Sequence, residues 1–336
     1  MNIPFERFKE IIDRFEIAKV AVLGDIVADI TIYGKPIRLS REAPVLIIRH
    51  DWENIQPGSG GNSVRNLASL GAKVKLIGII GNDNIGRTIL NQFKSIGVDI
   101  EGVIKVSGRF TVTKTRIMAG DDHTSKQQVI RIDKEPNDPI SKDIEDKILF
   151  NLGRAIDSCD ALLISDYGYG MITKKVLNLI KKIANEKIVV ADSRYNISDF
   201  KEVDMITPNE AEALEAIKNR NKSQIDLLTI GNRLLKKVRS KAVLITRGNK
   251  GMVLFESNKS PKFIPICGSD DITDVTGAGD TVAAVAILSL IAGGSHYESA
   301  RLANYAGGVV VMKPGAATVT KEELFAIIKE DLNLNE

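Results

Sequence analysis

The densest run of chemistry-bearing residues is Asp274-Val275-Thr276-Gly277-Ala278-Gly279-Asp280-Thr281. Gly277 and Gly279 lead directly into an apolar run that reads as a helix over 278–292. A helix start presents unpaired amides with the positive end of the helix dipole behind them, so this turn can hold an anion. The glycines let backbone approach a phosphate closely. Asp280 falls in the first turn beside that anion, where a carboxylate can take the proton of a hydroxyl that attacks phosphorus. On spacing alone, the same residues also describe a capping Asp behind a glycine turn. Other phosphate patterns do not fit. GxxxxGK[ST] is absent, and Gly277-x-Gly279 lacks a third glycine and does not follow the first strand.

Four further clusters carry polar chemistry. Gly58-Ser59-Gly60-Gly61-Asn62 precedes an Ala/Leu helix. It suits a flexible turn with an Asn cap, or backbone laid against a small ligand whose hydroxyls Asn62 bonds. Gly24-Asp25-x-x-x-Asp29 ends the first strand. Ligands of open α/β sheets bind beyond the carboxyl ends of strands, and two carboxylates there suit sugar hydroxyls; a turn Asp and an edge charge fit equally. Thr207-Pro208-Asn209-Glu210-Ala211-Glu212 opens a helix, with Asn209 and Glu212 on one face. That pair reads as a plain cap, or as groups ordering water around a divalent cation, with Glu212 the indirect metal-binding residue. Thr246-Arg247-Gly248-x-x-Gly251 is either a hairpin turn or a loop beneath a nucleotide. His50, His123 and His296 are scattered and show no ligand or nucleophile spacing.

These clusters need elements to position them. Residues 18–24, 74–80, 161–165, 187–191 and 242–246 are short apolar runs of the kind found in buried parallel strands. Amphipathic patterns over 62–70, 84–96, 140–156, 173–183 and 222–238 alternate with them. The alternation predicts an α/β fold, a mostly parallel central sheet flanked by helices on both faces. Two stretches break the rhythm. Residues 30–50 hold TIYG and VLIIRH with no helix between, and 110–133 hold TVTKTRIMA and QQVIRID around the turn GDDHTSK. Both read as hairpins, which predicts a small β-sheet lid built from insertions into a single domain spanning 1–336. An apolar helix follows over 298–312 and a capped amphipathic one from Thr320, while 257–274 reads as loop.

Composition narrows the function classes. Lys plus Arg is 46 and Asp plus Glu is 43, so the net charge of +3 gives no footprint for nucleic acid or an anionic membrane. The longest apolar stretch, 282–292, is too short to span a bilayer, and MNIPFERFKE has no apolar signal core. Cys159 and Cys267 lack metal spacing and read as buried free thiols of a reducing compartment. The expectation is a cytoplasmic protein with a small-molecule partner.

Taken in order, the motifs resemble those of the ribokinase-like (PfkB) carbohydrate kinases over about residues 15–330. Within that family, GDIVADITIYGKPIRLSREAPV is similar to the branch that phosphorylates D-glycero-D-manno-heptose 7-phosphate. NLASLGA, TKTRIM, QQVIRID, SDYGYG and ANYAGGVVV continue the likeness. The resemblance implies a ribokinase-like fold and an ATP-dependent, Mg2+-requiring kinase acting on the sugar's 1-hydroxyl, within lipopolysaccharide or other surface-glycan synthesis. It implies Asp280 as catalytic base and Gly277, Ala278 and Gly279 as the anion hole. Asp29 and Asn62 would bind sugar hydroxyls beside the backbone of Gly58, Gly60 and Gly61. Asn209, Glu210, Ala211 and Glu212 would serve magnesium and phosphates. Thr246, Gly248 and Gly251 would form the nucleotide loop, with Asn304 near the adenine. A monovalent cation and a homodimer through the lid are further expectations. The chain leaves no room for a nucleotidyltransferase half, so a separate protein would activate the product.

The sequence also departs from the pattern. Ser59 displaces one glycine of an adjacent pair, and Asp192-Ser193-Arg194-Tyr195 stands where Asp-Pro-Lys-Gly is usual. Arg194 is then a basic candidate toward phosphate. DVTGAGD itself does not discriminate heptose from ribose, fructose 6-phosphate or a nucleoside. A non-catalytic sugar- or nucleotide-binding regulator on the same fold is the reading from a different class.

Overall fold

The computed structural model describes residues 3–121, 126–136, 138–217, 225–267 and 273–333. The chain opens with α1 (Phe5–Asp13), β1 (Lys19–Gly24), β2 (Ile26–Leu39), β3 (Leu46–Ser59), α2 (Gly60–Ser69) and β4 (Lys73–Gly81). Then come α3 (Asn84–Ser95), β5 (Val103–Val106), β6 (Val112–Ala119), β7 (Gln127–Lys134), α4 (Lys142–Ile156) and β8 (Ala161–Asp166). After these lie α5 (Lys174–Ile183), β9 (Ile188–Ser193), β10 (Met205–Ile206), α6 (Glu210–Ala216), α7 (Leu227–Val238) and β11 (Ala242–Thr246). The chain continues through β12 (Met252–Glu256), β13 (Lys262–Ile264), α8 (Ala278–Ile291), α9 (His296–Val311) and α10 (Lys321–Asp331).

The main sheet runs β13-β12-β11-β10-β9-β8-β1-β4-β5, parallel from β5 to β11, with β12 and β13 antiparallel. Helices cover both faces because every central strand is apolar on both. Val20 and Val22 of β1 pack into one core with Phe8, Leu67 and Val285; Ala21 and Leu23 pack into the other with Ile148 and Leu152. A period of two thus feeds two cores from one strand. Helix α8 is buried along Asp280–Ser289, which explains its nearly unbroken apolar sequence. No helix among the described residues is long and apolar enough to cross a membrane. Asp83, Ser141, Thr173 and Asp226 cap α3, α4, α5 and α7 by accepting from amides of the first turn.

The second sheet, β3-β2-β6-β7, is made of two antiparallel hairpins joined by parallel pairing of β2 with β6. Its register sorts the side chains into two faces. Gln56–Asp29–Lys114–Asp133 and Asn54–Thr31–Arg116–Arg131 are cross-strand rows on one face. Ile55–Ile30–Thr115–Ile132 and Glu53–Ile32–Ile117–Ile130 are rows on the other.

Several sequence expectations are adjusted. The strands of the first hairpin reach to 26 and 59, well beyond the expected 30–50, because only Asp25 separates β1 from β2 and Gly60 starts α2 directly. Gly60 and Gly61 are therefore the first turn of α2, not a flexible turn, and Asn62 is not its cap. The segment 257–274 was expected as loop, yet Lys262–Ile264 forms β13, pairing with β12. Helices α1 and α6 and strand β5 are short elements without a long periodic pattern. The expected helix 222–238 is described from 227, and residues 218–224 lie outside the described residues. So do 122–125 of the GDDHTSK turn, with His123 among them.

The junction before α2 is closely packed against the end of β1. The Gly60 amide donates to Asp25 O at 3.0 Å, and a Cβ on Gly60 would stand 2.9 Å from the Cα of Gly24 and 3.0 Å from Asp25 O. Ser59 sits at φ 53°, ψ −130°, a region that suits glycine and strains a side chain. Gly60→Ala is expected to lower stability by about 1–3 kcal/mol through backbone overpacking. Ser59→Gly is expected to be neutral or to raise stability by up to about 1 kcal/mol through relief of strain. Urea-denaturation midpoints of both variants against the parent check the pair; a destabilised Ser59→Gly would contradict the strain argument.

Candidate active site

The parallel strands all end on one side of the sheet. There they bring together Asp25 after β1, Asp166 at the end of β8, Asp192 and Ser193 on β9, Thr207 after β10 and Thr246 on β11. Strand ends of an open α/β sheet are where ligands bind. Helix α8 points its N-terminus at this edge. Gly277 is its N-cap at φ 78°, and a Cβ there would lie 2.3 Å from Asn62 Nδ2, so glycine is required both for the turn and for the approach of α2. Helix starts leave amides without intrahelical acceptors; here the Ala278 amide makes a long bond to Val275 O at 3.3 Å.

Asp280 is buried in the first turn of α8. Its Oδ1 accepts from Tyr167 Oη at 3.1 Å and Ser63 Oγ at 3.3 Å, and its Oδ2 faces Asn62 Nδ2 at 3.5 Å. Burial pushes its carboxyl up to about 7, partly offset by the Tyr167, Asn62 and Ser63 hydrogen bonds, with the Asp29 charge pushing upward again. Asn62 also donates to Gly277 O at 3.2 Å, while its Oδ1 is buried with no partner among the described residues. A buried carbonyl oxygen without a donor is costly and marks a place where a ligand hydroxyl can donate.

On one side of Asp280 a cavity of about 890 Å³ opens, within the roughly 300–1,000 Å³ typical of small-molecule and cofactor sites. Of the residues expected around a nucleotide, Asn209, Ala211, Glu212, Thr246, Gly248, Gly251 and Asn304 line it, as do Ala278 and Gly279. Glu210 does not line it and is held in an ion pair with Arg247. Asn209 and Glu212 form a reciprocal capping box: Glu212 N donates to Asn209 Oδ1 and Asn209 N to Glu212 Oε2, each at 2.9 Å. The bland reading of this pair is therefore its local geometry, yet Glu212 still lines the cavity. Burial raises Glu212, and raises Asp192 still further with the help of the Asp280 and Glu212 charges. Arg194 lines the same cavity. Cys267, expected buried, is half-buried there, whereas Cys159 is buried and its thiol is raised by burial. Asn304 donates to Pro265 O at 2.8 Å, which fixes the loop after β13.

On the other side lies the polar face of the second sheet. Asp29 is paired with Arg116 at 2.7 Å, and a Cβ on Gly58 would fall 2.0 Å from Asp29 Oδ2, so that carboxylate rests on bare backbone. Arg131 bonds Asp133 through Nε at 2.8 Å and Nη2 at 2.6 Å. Lys114 is only 8% exposed, has no ion pair among the described residues, and stands 5.0 Å over the ring of Tyr167. Burial lowers its ammonium first of all. Sequence reasoning missed Lys114, Arg116, Arg131 and Tyr167. The alternation in TVTKTRIMA and QQVIRID shows that the first three share a face, but not that the face is turned toward Asp280. Among the described residues, no group of three or more His, Cys, Asp and Glu is arranged to hold a metal ion.

Comparison with known proteins agrees with this architecture. The sequence model for "pfkB family carbohydrate kinase" matches residues 17–323. The chain is 36% identical over 319 residues to the "Bifunctional protein HldE" of Desulfatibacillum aliphaticivorans, covering 94% of this chain and 64% of that protein. It is 34% identical over 315 residues to the protein of the same name in Helicobacter pylori, covering 93% and 66%. The chain thus spans less than two thirds of these relatives' own length. Among solved structures, phosphofructokinase-2 from Escherichia coli in complex with substrates and products superposes with a TM-score of 0.75 at 17% identity, covering 93% of this chain and 99% of that one. Arabidopsis thaliana ribokinase complexed with ribose and ATP superposes with a TM-score of 0.69 at 20% identity, covering 93% and 99%. These structures carry the ribokinase-like fold, and the sequence match adds the family: the chain belongs to the pfkB family of carbohydrate kinases.

Proposed function

We propose that this chain transfers the γ-phosphoryl group of ATP to the 1-hydroxyl of D-glycero-D-manno-heptose 7-phosphate. The observation that carries the reading is Asp280, buried in the first turn of α8 directly after Gly279, which lines the cavity, bonded by Tyr167, which lines it too, and within the charge field of Asp29 of the second sheet. A base must reach both reactants, and this position suits that role. The amides beside Ala278 and Gly279 would hold charge developing on the transferred phosphoryl group. Asp29, Asn62 and the backbone of Gly58, Gly60 and Gly61 would hold the sugar. Asn209, Ala211, Thr246, Gly248, Gly251 and Asn304 would hold the nucleotide, with Glu210 acting indirectly through Arg247.

A divalent cation fits the cavity as a companion of the triphosphate. Asp192 and Glu212 are like charges raised by burial, and no protein cation pairs with either among the described residues. Mg2+ keeps most of its waters, so Glu212 would hold it through water. Such a cation would neutralise charge on the phosphates.

The phosphorylated acceptor is supported by the cations facing Asp29. Lys114 is buried with no ion pair among the described residues; Asp29 and Asp133 act on it through charge, as do Arg131 and Arg194, and Arg116 is its neighbour two residues on along β6. An unpaired buried ammonium is costly, and an anionic ligand group relieves that cost. The N-terminal likeness around SREAPV favours heptose 7-phosphate among sugar phosphates. The second sheet is then a lid that excludes water and favours transfer over hydrolysis. Its opposite face leaves Ile130 and Ile132 half exposed beside Ile117, which suits burial against the same face of a second copy. The reading places the reaction in the cytoplasm, upstream of nucleotidyl activation for surface-glycan heptose.

Turnover of ATP to ADP with a panel of sugars and sugar 7-, 6- and 5-phosphates, with and without Mg2+, tests the reading. Strong stimulation by heptose 7-phosphate alone is expected. A different sugar would keep the kinase and discard heptose, and silence across the panel would favour a binding regulator.

Asp280→Asn should reduce turnover by at least about 10³-fold while ATP still binds. The same variant should be more heat-stable above pH 7. The folded carboxyl titrates near 7 against 3.8 in the reference state, so the parent loses stability as pH rises through that window and the amide does not. Melting curves at pH 5 and pH 8 read this sign. Lys114→Met is expected to raise KM for the sugar phosphate about 10- to 100-fold and leave KM for ATP within twofold. Equal shifts in both constants would contradict a phosphate contact. Ile132→Asp should yield monomers by sedimentation velocity where the parent forms dimers; a monomeric parent removes the dimer.

A further inference from the structure

Asp280 offers its two oxygens unequally. Tyr167 Oη and Ser63 Oγ both donate to Oδ1, at 3.1 and 3.3 Å. Oδ2 meets Asn62 Nδ2 alone, at 3.5 Å, the far limit of a hydrogen bond. A carboxylate oxygen that accepts two hydroxyls is a poorer proton acceptor than its partner. We propose that Tyr167 is a positioning residue for phosphoryl transfer: together with Ser63 it occupies Oδ1 and leaves Oδ2 to receive the proton of the acceptor hydroxyl. This rests on Asp280 being the general base. In that step the proton passes from the hydroxyl to Oδ2, and the hydroxyl oxygen's electron pair forms the new O–P bond. The electron pair of the breaking bond leaves with the bridging oxygen of ADP.

Tyr167 is held for this task from three directions. Its amide donates to Asp25 Oδ2 at 2.7 Å, and the next amide, Gly168 N, donates to Asp166 Oδ1 at 3.0 Å. The Lys114 ammonium lies 5.0 Å over its ring, close enough for a cation–π contact. Burial and the Asp280 and Asp192 charges hold its phenol well above its usual range, so it stays a donor at any working pH. The charged and polar groups facing Asp280 are Tyr167 after β8, Asn62 and Ser63 of α2, Asp29 of β2 and Asp192 of β9. No cation pairs with Asp280 among the described residues, so its ionised form depends on hydrogen bonds, of which that from Tyr167 is the shortest.

The test compares pH profiles of kcat for the parent, Tyr167→Phe, Ser63→Ala and Asp280→Asn, with ATP, Mg2+ and the sugar phosphate. Removing a donor raises the carboxyl, and a base works only when ionised. The acid limb of Tyr167→Phe should therefore move up by about one pH unit, the scale of one hydrogen bond to a charged group. Its kcat at pH 7 should fall about tenfold, with KM for ATP within twofold. Ser63→Ala should shift the limb in the same direction by less. An unmoved limb in Tyr167→Phe, with Asp280→Asn inactive, overturns the role of Tyr167 alone. An active Asp280→Asn overturns the base and this inference together. If Tyr167→Phe does not fold, Ser63→Ala carries the test, and an unmoved limb there overturns the proposal.

Discussion

The carboxylate of Asp280 lies out of water at a helix start, and holding it there as an anion constrains much of the surrounding fold. Burial alone drives such a group toward its neutral form. Here the cost is reduced by donors from two separate elements, Asn62 and Ser63 of α2 and Tyr167 after β8. Both elements must reach the same point. α2 does so because Gly60 lets it start against the end of β1 and Gly277 lets Asn62 pass beneath α8. The strained Ser59 and the tight glycines are consequences of that convergence, which is why they cluster within a few residues of the site.

The same constraint explains the helix that carries Asp280. α8 is apolar and buried along most of its length, and its side chains belong to the core shared with α1, α2 and α9, so packing fixes it. The base proposed for Asp280 would need such support, because catalytic groups must be positioned closely. The sheet edge supplies further carboxylates, Asp25, Asp166 and Asp192, whose crowding raises Asp25 to about 7 by burial and by the Asp166 charge. Asp166 Oδ2 accepts from Ser193 Oγ at 2.7 Å and Asn196 Nδ2 at 3.1 Å. The edge is thus a row of acids, with neighbouring hydroxyls and amides stabilising those that face one another.

Much of this was legible in sequence where function is local. The run around Asp280 announces its turn, its helix and its carboxylate because all three lie within eight residues. The strands were legible because parallel, doubly buried strands are uniformly apolar. Tyr167 was not legible. Its hydroxyl reaches a residue 113 positions away only because β8 pairs with β1 and Asp25 pins the following loop. Lys114, Arg116 and Arg131 were visible as alternation, but a period of two names two faces without saying which one meets the site. Glu210 and Glu212 illustrate the opposite failure. Two acids in one helical turn look equivalent in sequence, and the cap geometry assigns one to Arg247 and the other to the cavity.

Where β1 passes into β2 the connection is a single residue, Asp25, and that economy has a mechanical consequence. β1 ends at Gly24 and β2 begins at Ile26, so the second sheet has no slack where it leaves the first. The Asp25 amide donates to Ser165 O at 3.0 Å, its carbonyl accepts from Gly60, and its carboxylate accepts from the amides of Tyr167 and Tyr169. Motion of the second sheet therefore cannot occur at its root without disturbing the start of α2 and the loop that orients Asp280. Bending must instead fall further along the strands, where register shifts between Tyr33 and Gly34 and between Ile117 and Met118 already interrupt the ladders. The root of the sheet is tied to the residues around Asp280, and the irregularities lie in its outer part.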